Sequence, residues 1–406
     1  MSSIPVARGD AKIRVLYIDS SVGFGGAVKS LALTLRGLDG VEKWIFTSQD
    51  PDIVRTWFPT LPVTIFRRLI NYRNNERFLL ATPLGFRSAA AKMFAVADVL
   101  ESGRNSLRLA RIIRRHRIQI LHVNNGFLPA EAVIAARLTG IPSVVHMRGF
   151  QDDPISASWT SSVRKVIAVS DAVAASISKS AIPASRITTV HDPVDLDLIQ
   201  RSAVKRTAIR DKWKLADDEV AVGIFGRVIP WKGQLEFVQA MIRVMRADPR
   251  VRGLIVGDES DGDKAYFEAI KTHIANAAMV DRFVLAGYRE NVEDYYAAVD
   301  IVVHASIDPE PFGMVVAEAM AASRPIIAAK AGGPCEVVSH GVDGLLVTPG
   351  DIDALTEAIL SLTTNQALRE SMGAAGAQKA LERFAIERNA DAVSSIYAEV
   401  LAAPAS

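Results

Sequence analysis

The chain has 406 residues, of which 49% are hydrophobic and 23% charged, and its formal net charge is +2; these values exclude a fibrous or disordered protein and favour two globular domains over one. The single cysteine, Cys335, excludes a disulfide framework and a cysteine-based metal site, as expected of a cytoplasmic protein. No apolar run approaches the roughly 20 residues that span a bilayer, and residues 1–12 lack the apolar core of a signal peptide, so we expect a soluble or peripheral protein.

The first predicted strand, residues 12–19, leads into a glycine-rich turn and a helix that begins near residue 27. The spacing of Gly23, Gly25 and Gly26 fails the dinucleotide-binding fingerprint, because Val28 stands where a third glycine or alanine is required. This disfavours a nicotinamide cofactor. The glycines predict either a plain strand-to-helix turn or a backbone that a ligand approaches closely, and the residues alone leave both possibilities open.

Further buried strands separated by helical stretches predict a parallel, doubly wound sheet in the first half. They lie at residues 44–47, 118–123, 143–147 and 166–169. The last three end in polar clusters that contain Asn124, His146 and Ser170. A histidine at a strand end is most often structural, but the position of His146 after a buried strand predicts a ligand contact.

Basic residues are concentrated in the first half. Residues 51–150 carry 15 basic and 5 acidic side chains, and residues 1–200 have a net charge of +9. This excess predicts an anionic partner. Nucleic acid is disfavoured because the sequence contains no recognised nucleic-acid module.

Residues 107–117 predict an amphipathic helix in this basic region. Leu107, Ile112 and Ile113 are expected on its apolar face, opposite four arginines: Arg108, Arg111, Arg114 and Arg115. Such a helix fits docking on an anionic lipid surface, and it fits equally an ordinary surface helix with solvated arginines.

The second half alternates strands and helices in the same way. The predicted strands lie at residues 220–225, 253–256, 283–286, 301–304, 326–328 and 345–347. The first of them leads into Gly226-Arg227-Val-Ile-Pro-Trp-Lys232-Gly233 and a helix from Gln234. The two glycines let the backbone turn tightly, and Arg227 and Lys232 place two positive charges at the carboxyl end of a strand. Alone, this pair is more typical of a solvated loop.

A second candidate site reads Glu310-Pro-Phe-Gly-Met-Val-Val-Ala-Glu318. The turn opens a helix whose first N–H groups, near residues 312–314, suit an anion such as a diphosphate. The two carboxylates suit hydroxyl groups on either side of that diphosphate. Together with the basic loop upstream, they predict a nucleotide-sugar. The acidic pairs Asp195-Leu-Asp197 and Asp261-Gly-Asp263 are interpreted as solvated turns rather than metal ligands.

The combination of Gly-Arg-x4-Lys-Gly with Glu-x7-Glu, followed by Ala331-Gly-Gly-Pro-Cys-Glu336 and the segment Gly341–Asp351, resembles glycosyltransferase family 4. These are retaining enzymes that use nucleotide-diphosphate sugars. The resemblance implies an α/β GT-B fold, in which two doubly wound Rossmann-like domains face each other across a cleft. It implies an acceptor-binding domain over residues 1–200, onto which helix 386–406 packs back, and a nucleotide-sugar-binding domain over residues 201–385.

The resemblance also implies residue roles. Arg227 and Lys232 are expected to stabilise the departing diphosphate, Glu310 to hold the sugar and Glu318 the ribose, without metal or cofactor. His146 is expected beside the transferred sugar, and Arg148 is expected to contact an acceptor or a phosphate. The residues implied to be catalytic are Arg227, Lys232, Glu310 and His146, and those implied to bind substrate are Gly25, Gly26, Arg148, Gly226, Phe312, Gly313, Met314 and Glu318.

The implied function is retaining transfer of a hexosyl group to a glycan or lipid-linked acceptor, in polysaccharide, lipopolysaccharide or glycolipid biosynthesis. The enzyme is expected in the cytoplasm or peripherally on the inner face of the cytoplasmic membrane. Two alternatives stay open: a nucleotide-sugar epimerase of the same fold, and a non-catalytic sugar-nucleotide-binding protein.

Overall fold

The computed structural model describes residues 12–19, 21, 23, 25–47, 49–59, 61, 63–67, 87–126, 129–151, 153–259 and 263–403. Residues 1–11, Asp261 and the basic positions between residues 68 and 86 lie outside this set. The chain forms two compact units. The first comprises Met1–Val169, Val173–Val190 and Asn389–Ser406, and the second comprises Ser170–Ala172 and His191–Arg388.

The first unit is built on a parallel sheet with the strand order β3-β2-β1-β4-β5-β6-β7 among the described residues. These strands are β1 Ile13–Asp19, β2 Val41–Thr47, β3 Val63–Arg67, β4 Ile120–Asn124, β5 Ser143–Met147, β6 Val163–Ala168 and β7 Ile187–Thr189. The predicted parallel sheet is confirmed. The sequence pattern misses β3 and β7, which are the two edges of the sheet; β7 is short and only half-buried, so it lacks the continuous apolar run of a central strand.

Helices connect these strands, and the last helix of the chain adds to the same core. The helices of this half are Gly26–Gly37, Pro51–Trp57, Arg87–His116, Ala130–Thr139, Ala157–Thr160 and Asp171–Ser176, and the last helix is Ile386–Ala402. In the last helix, Val393 and Tyr397 are buried in the apolar core of the sheet. The Tyr397 hydroxyl lies 3.1 Å from the Tyr17 hydroxyl and 2.6 Å from Nδ1 of His122, which fixes the helix against β1 and β4.

The second unit repeats the architecture, with a parallel sheet of strand order β10-β9-β8-β11-β12-β13 in the described residues. These strands are β8 Val220–Phe225, β9 Val251–Val256, β10 Phe283–Gly287, β11 Ile301–His304, β12 Ile326–Ala329 and β13 Gly344–Val347. Both sheets confirm the predicted α/β class of doubly wound, Rossmann-like units.

Helices also join the strands of the second unit. They are Leu196–Ser202, Arg206–Lys212, Gln234–Ala247, Lys264–Asn276, Val292–Ala298, Met314–Ala321, Pro334–Val337, Ile352–Thr363 and Gln366–Arg383. The prediction of a solvated turn at Asp195 is wrong. Asp195 is 6% exposed and accepts a hydrogen bond from the Leu198 N–H at 3.1 Å, because an aspartate at a helix start satisfies an N–H that has no partner within the helix.

Helix Arg87–His116 differs from its predicted amphipathic arrangement. Ile112 and Ile113 are buried as expected, but Leu107 is 61% exposed and lies on the same side as Arg111. The helix therefore presents a mixed apolar and basic face. Among the residues that the structure describes, none of the helices combines the length and the apolar character that a membrane-spanning segment needs.

Candidate functional site

Each sheet reverses its strand order once, and polar loops follow the strands at that point. In the second unit β8 lies beside β11, although β9 and β10 come between them along the chain. In the first unit β1 lies beside β4 in the same way. Open parallel sheets bind ligands at the carboxyl ends of the strands at such a reversal. The loops after β1, β8 and β11 and the ends of β4 and β5 carry the predicted site residues.

The loop after β8 is shaped by two glycines in the left-handed region. Gly226 has a φ of +126° and Gly233 a φ of +72°, which side chains disfavour. A Cβ atom at Gly233 would lie 1.9 Å from the carbonyl oxygen of Ala305, just after β11. Between the two glycines, Pro230–Lys232 forms a single 3-10 turn. The loop therefore packs directly on the chain that follows β11, and this contact carries Lys232 toward it.

Lys232 and Glu310 form an ion pair at this point. Nζ of Lys232 lies 2.5 Å from Oε2 of Glu310, and the two side chains are 17% and 15% exposed. Nε2 of His304 and Oγ of Ser306 each lie 3.3 Å from the same oxygen. No described residue forms a hydrogen bond with Oε1 of Glu310. The carboxylate is thus held by one oxygen, and the other is available to a ligand.

The surroundings of Glu310 keep it ionised. Burial alone would raise the pKa of Glu310, but the hydrogen bond from His304 and the charge of Lys232 outweigh burial and lower the pKa to about 2. At neutral pH the side chain is therefore a hydrogen-bond acceptor and not a general acid.

We expect Glu310 to contribute to stability in a pH-dependent way. Its folded-state pKa lies below its ordinary value of 4.5, so the stabilisation is complete above about pH 4.5 and is lost as the pH falls toward 2. Urea unfolding of the wild type and of Glu310→Gln should show a difference in free energy that narrows across this interval. Glu382→Gln, at an exposed position, controls for the loss of one carboxylate. A difference that stays constant with pH would contradict the expectation.

The loop after β12 packs backbone to backbone against the Glu310 loop. The N–H of Gly333 donates to the carbonyl of Glu310 at 2.8 Å. A Cβ atom at Gly332 would lie 2.2 Å from that carbonyl oxygen, and one at Gly333 would lie 2.5 Å from Cα of Phe312. The Gly332-Gly333 pair therefore permits a close backbone contact that supports the Glu310 loop.

The helix that follows Gly313 carries a buried acid, Glu318. Gly313, with a φ of +93°, precedes Met314–Ala321, whose first N–H groups have no acceptor within the helix. Glu318 is 5% exposed and accepts a hydrogen bond from the Tyr296 hydroxyl at 2.8 Å. The Tyr296 ring stacks on Phe225, the last residue of β8, with 4.3 Å between the ring centroids. Glu318 is thus oriented by a side chain that packs on β8.

Of the four charged residues predicted in the second unit, the structure brings Lys232 and Glu310 into contact. Arg227 is exposed just after β8, and within the described residues its side chain forms no hydrogen bond or ion pair with the other three. Glu318 is held by Tyr296. The predicted role of these residues in binding one ligand stays a prediction.

In the first unit, Gly25 and Gly26 lie at the start of helix Gly26–Gly37. Gly25 has an extended backbone, and its carbonyl accepts hydrogen bonds from the N–H groups of Val28 and Lys29 at 3.1 and 2.9 Å. A Cβ atom at Gly25 would meet no described atom within 4 Å. Neither φ nor packing among the described residues requires a glycine here, so the space beside this backbone is open.

Arg148 is the centre of a buried hydrogen-bond network at the carboxyl ends of β1, β4 and β5. Its Nε donates to Oδ1 of Asn124 at 2.8 Å, and its Nη1 donates to Oγ of Ser30 at 2.6 Å. Its Nη2 lies 3.3 Å from Nδ1 of His146. Nδ2 of Asn124 donates in turn to Oδ1 of Asp19 at 2.9 Å. Arg148 is only 8% exposed, and its predicted contact with an acceptor or a phosphate stays a prediction.

Two buried histidines, His146 of this network and the neighbouring His122, are held neutral. Burial, reinforced by the charge of Arg148, lowers the pKa of His146 well below its usual value and lowers that of His122 to about 3. Within the described residues, Nε2 of each ring is buried and has no hydrogen-bond partner. At neutral pH these rings therefore act as neutral hydrogen-bonding groups.

Sequence reasoning misses His304, Ser306 and Tyr296. The first two end or follow a predicted strand, so the strand-end criterion that selected His146 would have found them. Tyr296 gives no such signal, because it lies inside helix Val292–Ala298 and reaches Glu318 only through the packing of two helices.

Two family profiles match successive parts of the chain. The profile of Glycosyltransferase Family 4 matches residues 25–198, and that of Glycosyl transferases group 1 matches residues 205–379. The network around Arg148 lies mostly within the first match, and the Lys232–Glu310 pair lies within the second.

Individual relatives are similar over part of the chain or nearly all of it. A lipopolysaccharide core biosynthesis mannosyltransferase of Rhizobium meliloti is 30% identical over 182 residues, 44% of this chain and 52% of that protein. The chain spans about half the length of this and other curated relatives. An N-acetyl-alpha-D-glucosaminyl L-malate synthase of Bacillus anthracis is 27% identical over 312 residues, 72% of this chain and 78% of that protein. Anabaena HepE, crystallised with UDP, has the same fold, with a TM-score of 0.76 and 22% identity over 95% of this chain and 100% of that one.

Proposed function

The chain belongs to the GT-B glycosyltransferases of the family 4 type, and we propose that it transfers a sugar from a nucleotide-diphosphate sugar to a hydroxyl acceptor with retention of anomeric configuration. The observation that carries this proposal is the contact between Lys232 and Glu310 where β8 and β11 meet. A cation beside an acid with one available oxygen matches a ligand in which phosphate adjoins hydroxyl groups.

In this reaction the bond between the anomeric carbon and the diphosphate oxygen breaks, and its electron pair stays on the diphosphate. The acceptor oxygen bonds to the anomeric carbon from the same face, and the acceptor proton passes to the departing phosphate. Lys232 and the exposed Arg227 supply positive charge where negative charge develops, and the N–H groups at the start of Met314–Ala321 supply donors. The ionised Glu310 offers Oε1 to hydroxyls of the sugar, and Glu318 is proposed to hold the ribose.

The test is a donor screen with labelled UDP-, GDP- and ADP-sugars, first by calorimetry and then with acceptor mixtures. We expect one class of donor to bind, and the product to have the anomeric configuration of the donor in its NMR spectrum. An inverted product would contradict retention. Isomerised free nucleotide-sugar would support an epimerase instead, and binding without turnover would support a non-catalytic binding protein.

We also propose that the reaction needs no metal ion, because Lys232 and Arg227 can supply the positive charge that a divalent cation would otherwise provide. Transfer should therefore continue undiminished in EDTA. Loss of activity in EDTA, restored by a divalent ion, would contradict this part of the proposal.

For the acceptor we propose a glycan or lipid-linked molecule at an anionic membrane surface. The exposed face of helix Arg87–His116 supports this. Leu100 and Leu107 are 65% and 61% exposed, and the exposed arginines Arg104, Arg111 and Arg115 lie beside them at helical spacing. Basic residues attract anionic lipid headgroups, while exposed leucines insert among the acyl chains.

Charge reversal on this face should weaken binding to vesicles. The double variant Arg111→Glu and Arg115→Glu is expected to bind phosphatidylglycerol vesicles at least about tenfold more weakly in a flotation assay. Each basic residue near the surface contributes about 1 kcal/mol to the free energy of binding. The matched control is Arg243→Glu with Arg246→Glu, on an exposed helix face of the second unit. Equal flotation of the wild type and both variants, or flotation independent of anionic lipid, would refute the membrane proposal.

A further inference from the structure

The polarity of the hydrogen bonds around Arg148 follows from the chemistry of the groups. A guanidinium only donates, so Oδ1 of Asn124 and Nδ1 of His146 must both accept. The amide of Asn124 is fixed from its other end as well, because its Nδ2 donates to Oδ1 of Asp19. Reversing this amide would place its NH2 group against the guanidinium, donor against donor. The orientation of the whole chain of contacts is therefore determined.

The contact with Arg148 decides where His146 carries its proton. Since Nδ1 accepts from Nη2 of Arg148, a neutral ring must carry its proton on Nε2. That N–H group is buried and has no acceptor within the part of the chain that the structure describes. His122 does not supply one, although its ring centroid is 5.5 Å away. A buried donor without an acceptor is costly, so binding of a ligand that supplies the missing acceptor would be favoured here.

We propose that Arg148 is a positioning residue that holds His146 as the tautomer with its proton on Nε2, so that His146 presents a hydrogen-bond donor to a substrate hydroxyl. The substrate part of this inference rests on the proposed function; the tautomer part does not. Arg148 then acts through His146. Its guanidinium is already engaged by Asn124, Ser30 and His146.

The tautomer is measured by NMR on full-length protein labelled with 15N in the histidine rings, with His146→Asn to assign the signals. We expect Nδ1 of His146 to be unprotonated and Nε2 protonated in the wild type, and both tautomers to be populated in Arg148→Met. Arg137→Met, which removes an exposed arginine bonded to Ser161, should leave the wild-type signals in place. Protonated Nδ1 in the wild type, or an unchanged tautomer in Arg148→Met, would overturn the proposal. Because the NMR measurement does not depend on activity, the tautomer prediction can fail while the proposed function holds, and the reverse.

Kinetics test the link to substrate. Arg148→Met should lower kcat about 10- to 100-fold with a smaller effect on KM. In a His146→Gln variant the side-chain amide can donate a hydrogen bond whether or not Arg148 is present. Adding Arg148→Met to that variant should therefore lower kcat only about twofold further. A merely structural role would lower kcat equally in both backgrounds and would sink the inference. If Arg148→Met does not fold, Arg148→Lys replaces it, because lysine keeps one charged donor. We expect this variant to show the wild-type tautomer of His146 and an intermediate kcat. A protonated Nδ1 of His146 in this variant would count against the proposal.

Discussion

Replacing Lys232 with methionine is expected to lower kcat by about 100- to 1,000-fold, the range seen when one preorganised donor is removed from a site of developing negative charge. Nζ of Lys232 is held by Glu310 and lies 4.1 Å from the centre of the Trp231 ring, so the ammonium is positioned before any ligand binds. Because its interaction with a leaving diphosphate strengthens as the bond breaks, kcat should fall more than KM rises. Steady-state kinetics with the donor identified by the screen measures both.

One further variant separates charge from geometry at this position, and a second variant elsewhere is the control. Lys232→Arg keeps the charge but replaces a compact ammonium with a planar fork, so we expect an intermediate kcat. Lys271→Met removes a lysine that pairs with Glu268 on the surface of helix Lys264–Asn276 and should leave kcat unchanged. A kcat within about threefold of the wild type in Lys232→Met would remove Lys232 from the mechanism.

The second large effect is expected from Gly233→Ala. The added methyl group would lie 1.9 Å from the carbonyl oxygen of Ala305, where ordinary contacts begin at 3.4 Å, so the loop must move by more than 1 Å. A displacement of that size at a catalytic group can lower the rate about 100-fold. We therefore expect Gly233→Ala to lose activity to nearly the same extent as Lys232→Met, although Lys232 itself is intact.

Gly140→Ala is the matched control, since Gly140 has the same φ of +72° and no described atom within 4 Å of the added methyl group. Both variants carry the strain of a side chain in the left-handed region, about 1–2 kcal/mol. Only Gly233→Ala adds the clash. Comparing thermal unfolding and kcat of the two variants isolates the effect of the clash. Equal kcat in Gly233→Ala and Gly140→Ala would show that the close contact with Ala305 does not position Lys232.

The sequence predicts five strands of the first sheet and all six of the second, because buried parallel strands are continuous apolar runs. The edge strands β3 and β7 are not predicted, because they are less buried than the central strands. The sequence predicts only in part which side chains of helix Arg87–His116 are buried. Whether Leu107 is buried or exposed depends on which side of the helix packs against the sheet and its helices. The prediction for Asp195 is wrong for a related reason: in the sequence, an aspartate that caps a helix cannot be told from a solvated one until the helix start is known.

The site was predictable where it depends on strand ends and not where it depends on packing. Lys232 and Glu310 each follow a recognisable strand, but their contact requires that β8 and β11 be neighbours, which the strand order decides. Glu318 was selected as a ligand-binding acid, while its partner Tyr296 comes from another helix. The polarity of the Arg148 network likewise emerges only when three strand ends meet.

The described residues contact Glu310 through one of its two carboxylate oxygens, and this has a stereochemical consequence. Lys232, His304 and Ser306 all contact Oε2. Under the proposed function, the donor sugar is therefore received by Oε1 and from one side. A hydroxyl that is equatorial in one hexose and axial in its epimer cannot reach that oxygen equally well in both. The epimer with the wrong configuration leaves a buried acceptor unmatched, which a rigid polar site penalises far more than a missing methylene. Under the proposed function, we therefore expect the enzyme to discriminate between gluco-type donors and galacto- or manno-type donors.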